Sequence, residues 1–203
     1  KPVTENGPFV IPEFEPERVT AYEVGYKGLF LNSLLFLDSY VFVNRFSGFL
    51  ATQVLVQNPY EEDEMRFMTT ISTNEPVTAW GWALSLDMLM PKGFFAGGNV
   101  AYNALESIKD KPPGFQSRFN TPRYRFNLSI GKREYHDKVG FKLSFRWQDT
   151  FLWESAFGTA QMPAFSTLDA QVSYTITPLY TTVRIGGSNV LNGWYNTSFG
   201  SAS

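Results

Sequence analysis

Residues 122–148 read PRYRFNLSIGKREYHDKVGFKLSFRWQ, and the repeat within this stretch decides the fold of the chain. Every second residue is apolar on both sides of a short polar turn at residues 135–138. The apolar positions are Tyr124, Phe126, Leu128 and Ile130 before the turn, and Val139, Phe141, Leu143, Phe145 and Trp147 after it. Because successive side chains of a β-strand point to opposite faces of its sheet, this period of two predicts two antiparallel strands with one apolar and one polar face.

The same alternation appears in three more pairs of segments. They cover residues 18–30 and 34–46, residues 80–88 and 94–104, and residues 167–176 and 179–187, and short turns join the members of each pair. The predicted strands are long enough for the roughly 9 to 11 residues of a tilted membrane strand, whereas strands of soluble sheets average about five or six. We therefore predict an all-β fold, a transmembrane antiparallel β-barrel, with eight of its strands in this chain.

Short and long connections alternate along the chain. The turns at Asn32-Ser33, residues 91–93, residues 135–138 and Thr177-Pro178 are short, whereas three connections are long and polar. The long ones cover residues 58–69, 106–122 and 154–163. In outer-membrane barrels short turns face the periplasm and long loops face the exterior, which orients the predicted sheet.

The same orientation predicts which part of a barrel the chain forms. Both ends of the strand region would lie outside the cell, whereas a complete small barrel of eight strands, the structural alternative, keeps its ends in the periplasm. We therefore expect a C-terminal fragment of a larger barrel. Residues 1–17, with four prolines, would form an extracellular connector, residues 18–190 the barrel strands, and residues 191–203 an extracellular loop before a missing final strand.

Composition narrows the class of function. Aromatic residues make up 17% of the chain, which suits a β surface that faces lipid, and a net charge of −2 with scattered Lys and Arg argues against nucleic acid as a partner. The chain has no cysteine and one histidine, His136, which lies in a polar turn. The acidic run at residues 61–64 lacks the spacing of a calcium loop. We predict no catalytic residue, no metal site and no cofactor.

The two strand faces predict two environments. The apolar set above, with Val183 and Ile185, would face lipid, and Trp80, Trp82, Tyr102 and Trp147 would lie near the aromatic girdles. The candidate lumen lining is Arg123, Arg125, Lys142, Arg146, Gln148, Asp169, Gln171 and Arg184, and counting along the hairpins brings Arg146 close to Asp169. The lumen residues would either line a substrate path or form ion pairs that brace the wall, and the inner face of a soluble sandwich remains the alternative for the apolar set.

Ligand capture is expected at the exterior loops, which cover residues 60–66, 109–118, 151–157 and 194–199. Exposed aromatic side chains offer a large contact area at low entropic cost. The candidate ligand contacts are Phe151, Trp153, Trp194 and Tyr195. The open alternative is that these side chains anchor the loops to each other.

Three segments resemble a known family: PERVTAYEVGYKGLF (16–30, opening with Pro16 and Glu17), FNTPRYRFNLSIGKR (119–133) and TVRIGGSNVLNGWYNTSFG (182–200). They resemble the C-terminal half of TonB-dependent receptors, particularly the Bacteroidota-type receptors. The matching positions are Pro16, Glu17, Tyr22, Glu23, Gly25, Tyr26, Lys27 and Gly28, and then Asn189, Val190, Leu191 and Asn192. The resemblance covers roughly residues 15–200.

The resemblance implies a barrel of about 22 strands with a plug domain in its lumen. It implies TonB-dependent uptake of a siderophore, glycan or peptide across the outer membrane of a Gram-negative bacterium. The implied partners are lipid and lipopolysaccharide, the TonB–ExbB–ExbD complex through a missing N-terminal part, and a surface lipoprotein lid. The alternatives are a passive porin or scaffold barrel, and a secreted β-rich carbohydrate-active protein.

Overall fold

The computed structural model describes residues 3–4, 7–8, 16–57, 62, 65–106, 108–109, 111–133, 138–155 and 157–198. Within these residues the chain forms fifteen β-strands and two short 3-10 turns. In chain order the strands are β1 (Val3–Thr4), β2 (Gly7–Pro8), β3 (Arg18–Phe30), β4 (Leu35–Ser47), β5 (Leu50–Gln57), β6 (Met65–Ser72), β7 (Val77–Leu89), β8 (Phe94–Leu105), β9 (Phe115–Gln116), β10 (Tyr124–Lys132), β11 (Val139–Gln148), β12 (Phe151–Ser155), β13 (Gly158–Met162), β14 (Phe165–Ile176) and β15 (Thr181–Gly187). None of the helical segments in the described residues has the length and apolar character needed to cross a membrane.

One antiparallel sheet of eight strands dominates the structure. Its order is β15-β14-β11-β10-β8-β7-β4-β3, so each long strand pairs with the long strands before and after it in the sequence. Within the described residues β3 and β15 pair with one neighbour each and form the two edges. The prediction of an antiparallel sheet of eight strands is confirmed.

Three of the four predicted short turns lie where the sequence predicts them, and the fourth, at residues 135–138, lies outside the described residues except for Lys138. Leu31, Asn32 and Ser33 adopt positive φ angles of 53°, 55° and 67°, and the amide of Leu34 donates to the carbonyl of Leu31 at 3.2 Å. The 3-10 turns Pro91–Gly93 and Thr177–Leu179 reverse the chain between β7 and β8 and between β14 and β15.

Strand β15 is shorter than predicted, at 7 residues. Pro178 lies in the preceding 3-10 turn and Tyr180 is left-handed at φ 49°, so extended pairing begins only at Thr181. Proline lacks an amide hydrogen, and its position three residues before the strand delays the ladder.

The strand pairing separates the side chains of the sheet into two faces. Leu128 lies between Gly98 and Phe145 in the neighbouring strands, whereas the next residue along, Asn127, lies between Asn99 and Arg146. The alternation predicted from the sequence therefore aligns across strands, as it must when pairing is in register. We call these surfaces the apolar face and the polar face.

All three predicted long loops contain strand residues. β6 lies partly within predicted loop 58–69 and pairs with β5, and β13 lies within predicted loop 154–163 and pairs with β12. The short strand β9, in the connection 106–122, adds to β5 through Thr52–Gln116 and Gln53–Phe115. These pairings satisfy backbone groups that unstructured loops would leave to water.

The apolar core lies outside the eight-stranded sheet, or at the end of it where the long connections meet. The buried apolar residues among those described are Ala51, Ile71, Val77, Ala79, Ile108, Phe151 and Met162. Side chains in the middle of the sheet remain exposed, with Leu128 at 54% and Val172 at 54%. A sheet with this much exposed apolar surface requires a further environment to cover it.

Candidate functional site

The eight residues predicted to line a lumen share the polar face. Arg125 lies opposite Gln148, Lys142 lies opposite Gln171, and Arg184 lies opposite Ser173. Arg123 continues the same row, because its carbonyl accepts a hydrogen bond from the amide of Asn103 at 2.9 Å. The alternation of residues in the sequence was therefore sufficient to assign all eight side chains to one face of the sheet. That this surface lines a lumen is a proposal taken up below.

Asp169 connects the wall to the segment that follows β15. Its Oδ2 accepts a hydrogen bond from Nη2 of Arg146 at 2.6 Å, which confirms the pair predicted from hairpin counting. Its Oδ1 accepts a hydrogen bond from the amide of Asn189 at 2.9 Å. One carboxylate therefore joins β11, β14 and the turn after β15.

The turn after β15 folds back over the sheet. Asn189 adopts φ 48°, its Nδ2 donates to the carbonyl of Gly193 at 2.9 Å, and the amide of Gly193 donates back to its Oδ1 at 3.2 Å. The amide of Val190 donates to the carbonyl of Leu168 at 2.7 Å. Asparagine suits this position because it tolerates the left-handed region and its side chain bonds local backbone.

The folded-back segment brings Tyr195 onto the polar face. The ring of Tyr195 stacks on Phe165, with centroids 4.3 Å apart and planes 17° apart. Phe165 lies opposite Gln148, so the stack is on the polar face. Tyr195 thus lies beside the predicted lumen residues, whereas its neighbour Trp194 is 98% exposed.

A cavity of about 530 Å³ lies beneath Tyr195, and we call it the wall cavity. Its polar lining residues are Asn99, Arg125, Asn127, Arg146, Gln148, Thr167, Tyr195 and Thr197. Asn127 donates through Nδ2 to Oδ1 of Asn99 at 2.8 Å. Asn99 and Asn127 are not among the residues predicted to line a lumen, although both alternate in phase with them.

A second cavity of about 560 Å³ lies nearer the long connections, and we call it the mouth cavity. Asn103, Arg123, Asp149, Phe151 and Glu154 are among its lining residues. Nδ2 of Asn103 is buried without a hydrogen-bond partner in the described part of the chain. Arg123, which immediately precedes β10, lines the mouth cavity, and Arg125, two residues further along, lines the wall cavity.

The long connections are joined by a network centred on Glu154. Its Oε2 accepts hydrogen bonds from Oγ of Ser117 at 2.9 Å and from the amide of Arg118 at 2.7 Å. Asn120 bonds the backbone of Glu154 twice, accepting from its amide at 2.8 Å and donating to its carbonyl at 3.0 Å. The connection 106–122 is thereby attached to hairpin β12–β13, while β9 attaches it to β5.

The four aromatic residues predicted as exposed ligand contacts differ in exposure. Trp194 is 98% exposed and Tyr195 is 42% exposed, as expected. Phe151 is only 8% exposed and Trp153 is half-buried, so the prediction of exposure is wrong for both. Phe151 faces Met162 across hairpin β12–β13, and its ring meets that of Trp153 edge-on at 6.3 Å. These contacts lie within one hairpin, so the alternative that the two rings anchor the loops to each other stays a prediction.

The apolar face carries an aromatic belt at the end with the long connections. The rings of Trp80 and Tyr102 lie 5.0 Å apart, those of Tyr102 and Tyr124 lie 4.8 Å apart, and those of Phe126 and Trp147 lie 5.1 Å apart. Trp82 stacks on Tyr102 at 6.3 Å. The residues predicted for the girdle are therefore contiguous on one face.

The histidine and the acidic run, which were considered as possible sites in the sequence, lie wholly or mostly outside the described residues. His136 is among residues 134–137, which the structure does not describe, and Glu62 is the described member of the acidic run 61–64. In the rest of the described chain no three His, Cys, Asp or Glu side chains are grouped to hold a metal ion.

Comparisons with known proteins agree with this architecture. A family profile described as TonB dependent receptor-like, beta-barrel, matches residues 3–190. No curated protein sequence matches the chain. The structure resembles the pyoverdine outer membrane receptor FpvA from Pseudomonas aeruginosa PAO1, with a TM-score of 0.63 and 16% identity over 92% of this chain and 27% of that one.

Two further solved structures share the fold. The FrpB iron transporter from Neisseria meningitidis has a TM-score of 0.65 and 13% identity over 92% of this chain and 29% of that one. The siderophore receptor PirA from Acinetobacter baumannii has a TM-score of 0.59 and 15% identity over 89% of this chain and 28% of that one. The chain therefore spans less than a third of each of these structures and corresponds to part of a larger barrel.

Proposed function

This chain belongs to the TonB-dependent receptor family through its β-barrel, and from that premise we propose that it forms part of the wall of a receptor for active uptake across the bacterial outer membrane. The observation that supports this most is the eight-stranded antiparallel sheet with one apolar and one polar face. In a membrane barrel the apolar face meets lipid and the polar face lines the interior.

The energetics of the faces support the proposed orientation. Arg125, Lys142, Arg146 and Arg184 share the polar face, and a Lys or Arg directed at lipid near the bilayer centre costs about 2–4 kcal/mol. The opposite face carries the aromatic belt, and Trp and Tyr favour the boundary between lipid and water. Lipid and lipopolysaccharide are therefore the proposed partners of the apolar face.

This orientation assigns each part of the chain to the barrel wall, to the cell exterior or to the periplasm. Residues 18–190 are proposed to form wall strands, with the long connections and the segment after β15 outside the cell. The short turns at Pro91–Gly93 and Thr177–Leu179 would then face the periplasm. The network around Glu154 would hold the exterior connections as one unit over the mouth.

The ligand is proposed to be a scarce or large solute. FpvA is described with pyoverdine, FrpB as an iron transporter and PirA as a siderophore receptor, so a siderophore is one candidate, with a glycan or peptide as the others. Trp194 and Tyr195 are the proposed aromatic contacts. The Bacteroidota-type origin and a surface lipoprotein lid belong to the same proposal and rest on the sequence resemblance.

The proposed energy source is TonB with ExbB and ExbD, acting on a plug domain that occupies a barrel of about 22 strands. A receptor of this family fits the expectation that these residues carry no catalytic chemistry. The wall supplied by this chain would direct the ligand past the polar face while the plug rearranges.

Uptake measurements test the proposal. Cells that express the full-length receptor containing this chain are given labelled ferric pyoverdine, maltoheptaose or a hexapeptide, with and without the tonB gene. We expect at least one probe to accumulate only when TonB and the proton gradient are present. Uptake that persists without TonB, or with a protonophore, would instead identify a passive pore, and a receptor that does not fractionate with the outer membrane would contradict both.

A further inference from the structure

The wall cavity has an uncompensated positive charge. Arg125 and Arg146 line it, and none of its lining residues is acidic among those the structure describes. The Arg146 guanidinium is paired with Asp169, which lies outside the lining. Among the described residues no acidic side chain pairs with Arg125, and its neighbours across the strands, Ala101 and Gln148, carry no charge.

Neutral polar groups converge around the same charge. Asn99 and Asn127 bond each other through one atom each, which leaves the other amide atom of each side chain for a ligand. Gln148 lies directly opposite Arg125, and Thr167 is a buried hydroxyl residue at 5% exposure. The cavity therefore offers a cation and several amide and hydroxyl groups in one open recess of the polar face.

The ring of Tyr195 covers one side of this cavity, and we call it the roof. Its stack on Phe165 at 4.3 Å holds the ring over the lining, and the turn that carries it is fastened by Asp169 and Asn189. Asp169 therefore both neutralises Arg146 and holds the roof. A cavity of about 530 Å³ has the size of typical small-molecule sites, which range over roughly 300–1,000 Å³.

From this arrangement we propose that the wall cavity binds a carboxylate group of the transported ligand, with Arg125 as the residue that recognises it. The inference deepens the proposed uptake function and rests on it. A guanidinium presents parallel N–H groups that match the two oxygens of a carboxylate, and such charge-assisted bonds are stronger than neutral ones. The absence of acidic lining residues among those described disfavours a cationic ligand.

Citrate binding to the purified full-length receptor in detergent tests the proposal. We expect saturable binding of citrate, measured by calorimetry at low ionic strength, and no binding of its uncharged triethyl ester. Arg125→Gln should weaken citrate binding by about tenfold or more, because it removes a charge-assisted contact. Arg125→Lys, which keeps the charge without the planar fork, should bind with intermediate affinity.

Arg45→Gln is the matched control. Arg45 lies on β4 opposite Thr20 and Thr78, in phase with Val43 and Trp80 on the apolar face, so the same chemical change leaves the wall cavity intact. Its citrate affinity should equal that of the unaltered receptor. Circular dichroism and the heat-dependent shift in gel migration verify that each variant is folded.

Two results would overturn the inference. One is citrate affinity that Arg125→Gln leaves unchanged. The other is absence of citrate binding to the unaltered receptor while Arg125→Gln lowers its melting temperature, which would identify a carboxylate of the receptor itself as the occupant. Neither result touches TonB-dependent uptake or outer-membrane fractionation, so failure here is distinguishable from failure of the proposed function.

Discussion

Asp169 has two roles that a single carboxylate can perform because it has two oxygens. One oxygen pairs with Arg146, and the other accepts the amide of Asn189. Exposed ion pairs contribute little on their own, but a carboxylate that also accepts a backbone amide stabilises a local fold. This one residue therefore connects the predicted lumen lining to the segment that carries Tyr195.

Asp169→Asn is expected to loosen the segment after β15. The amide would lose the ion pair with Arg146 and weaken the bond to Asn189, at a cost of about 1–2 kcal/mol. Limited proteolysis should then cut residues 188–198 faster, and the Tyr195 stack should open. Asp38→Asn is the control, because its exposed pair with Lys27 at 3.2 Å does not hold this turn. Equal cleavage rates in the two variants would contradict the assigned role.

The hairpins outside the main sheet form a second level of organisation. β5, β6 and β9 make one small sheet, β12 and β13 make another, and the connection 106–122 is bonded to both. Gln116 donates through Nε2 to the carbonyl of Ser155 at 3.2 Å, beside the Glu154 network. The long connections therefore behave as one assembled element, which is a suitable support for exposed ligand contacts.

Glu154→Ala is expected to detach the connection 106–122 from hairpin β12–β13. The amide of Arg118 would lose its acceptor at 2.7 Å, so hydrogen exchange of the peptide covering residues 115–121 should accelerate about tenfold or more. Glu106→Ala removes an exposed carboxylate that makes no hydrogen bond to the described residues of this hairpin, and its exchange should match the unaltered chain. Unchanged protection in Glu154→Ala would show that β9 alone holds the connection.

The two faces of the whole sheet require opposite environments, one apolar and one polar. Its apolar face leaves Leu128 at 54%, Ile130 at 48% and Val172 at 54% exposed, which is more apolar surface than a sheet in water tolerates. The polar face collects the arginines, the lysine and the asparagines that line the cavities. Lipid on one side and water on the other satisfies both faces at once.

Charge substitutions on adjacent residues test this assignment directly. Leu128 lies in the middle of β10 on the apolar face, and Ser129 follows it on the polar face between Gly97 and Ser144. Leu128→Arg should destabilise the receptor in lipid by about 2–4 kcal/mol, whereas Ser129→Arg should cost less than about 1 kcal/mol. Urea titration in phospholipid vesicles measures both. The reverse order would mean that the faces are assigned the wrong way round.

The local sequence pattern was sufficient to predict the strands and the face of the sheet on which each side chain lies. A period of two depends only on neighbouring residues, so β10 and β11 and the polar row from Arg123 to Arg184 follow from the printed sequence. Turn residues such as Asn32 and Pro178 also act locally, through the φ angles that they favour. The proximity of Arg146 and Asp169 was predicted by counting along the hairpins, and in the structure it is a diagonal contact, because Arg146 lies opposite Thr167 and Asp169 lies opposite Ser144.

Contacts between distant segments were decided by the tertiary structure. The connection 106–122 pairs with β5 and bonds to β12–β13, and Tyr195 reaches Phe165 thirty residues earlier in the sequence. Phe151 and Trp153 lie in a connection predicted to be exposed, yet Phe151 is buried opposite Met162 and Trp153 is half-buried opposite Ala160 in hairpin β12–β13. The wall cavity forms where the paired strands, the turn after β15 and the ring of Tyr195 come together. The free energy of such packing between distant segments cannot be read from any single stretch of residues.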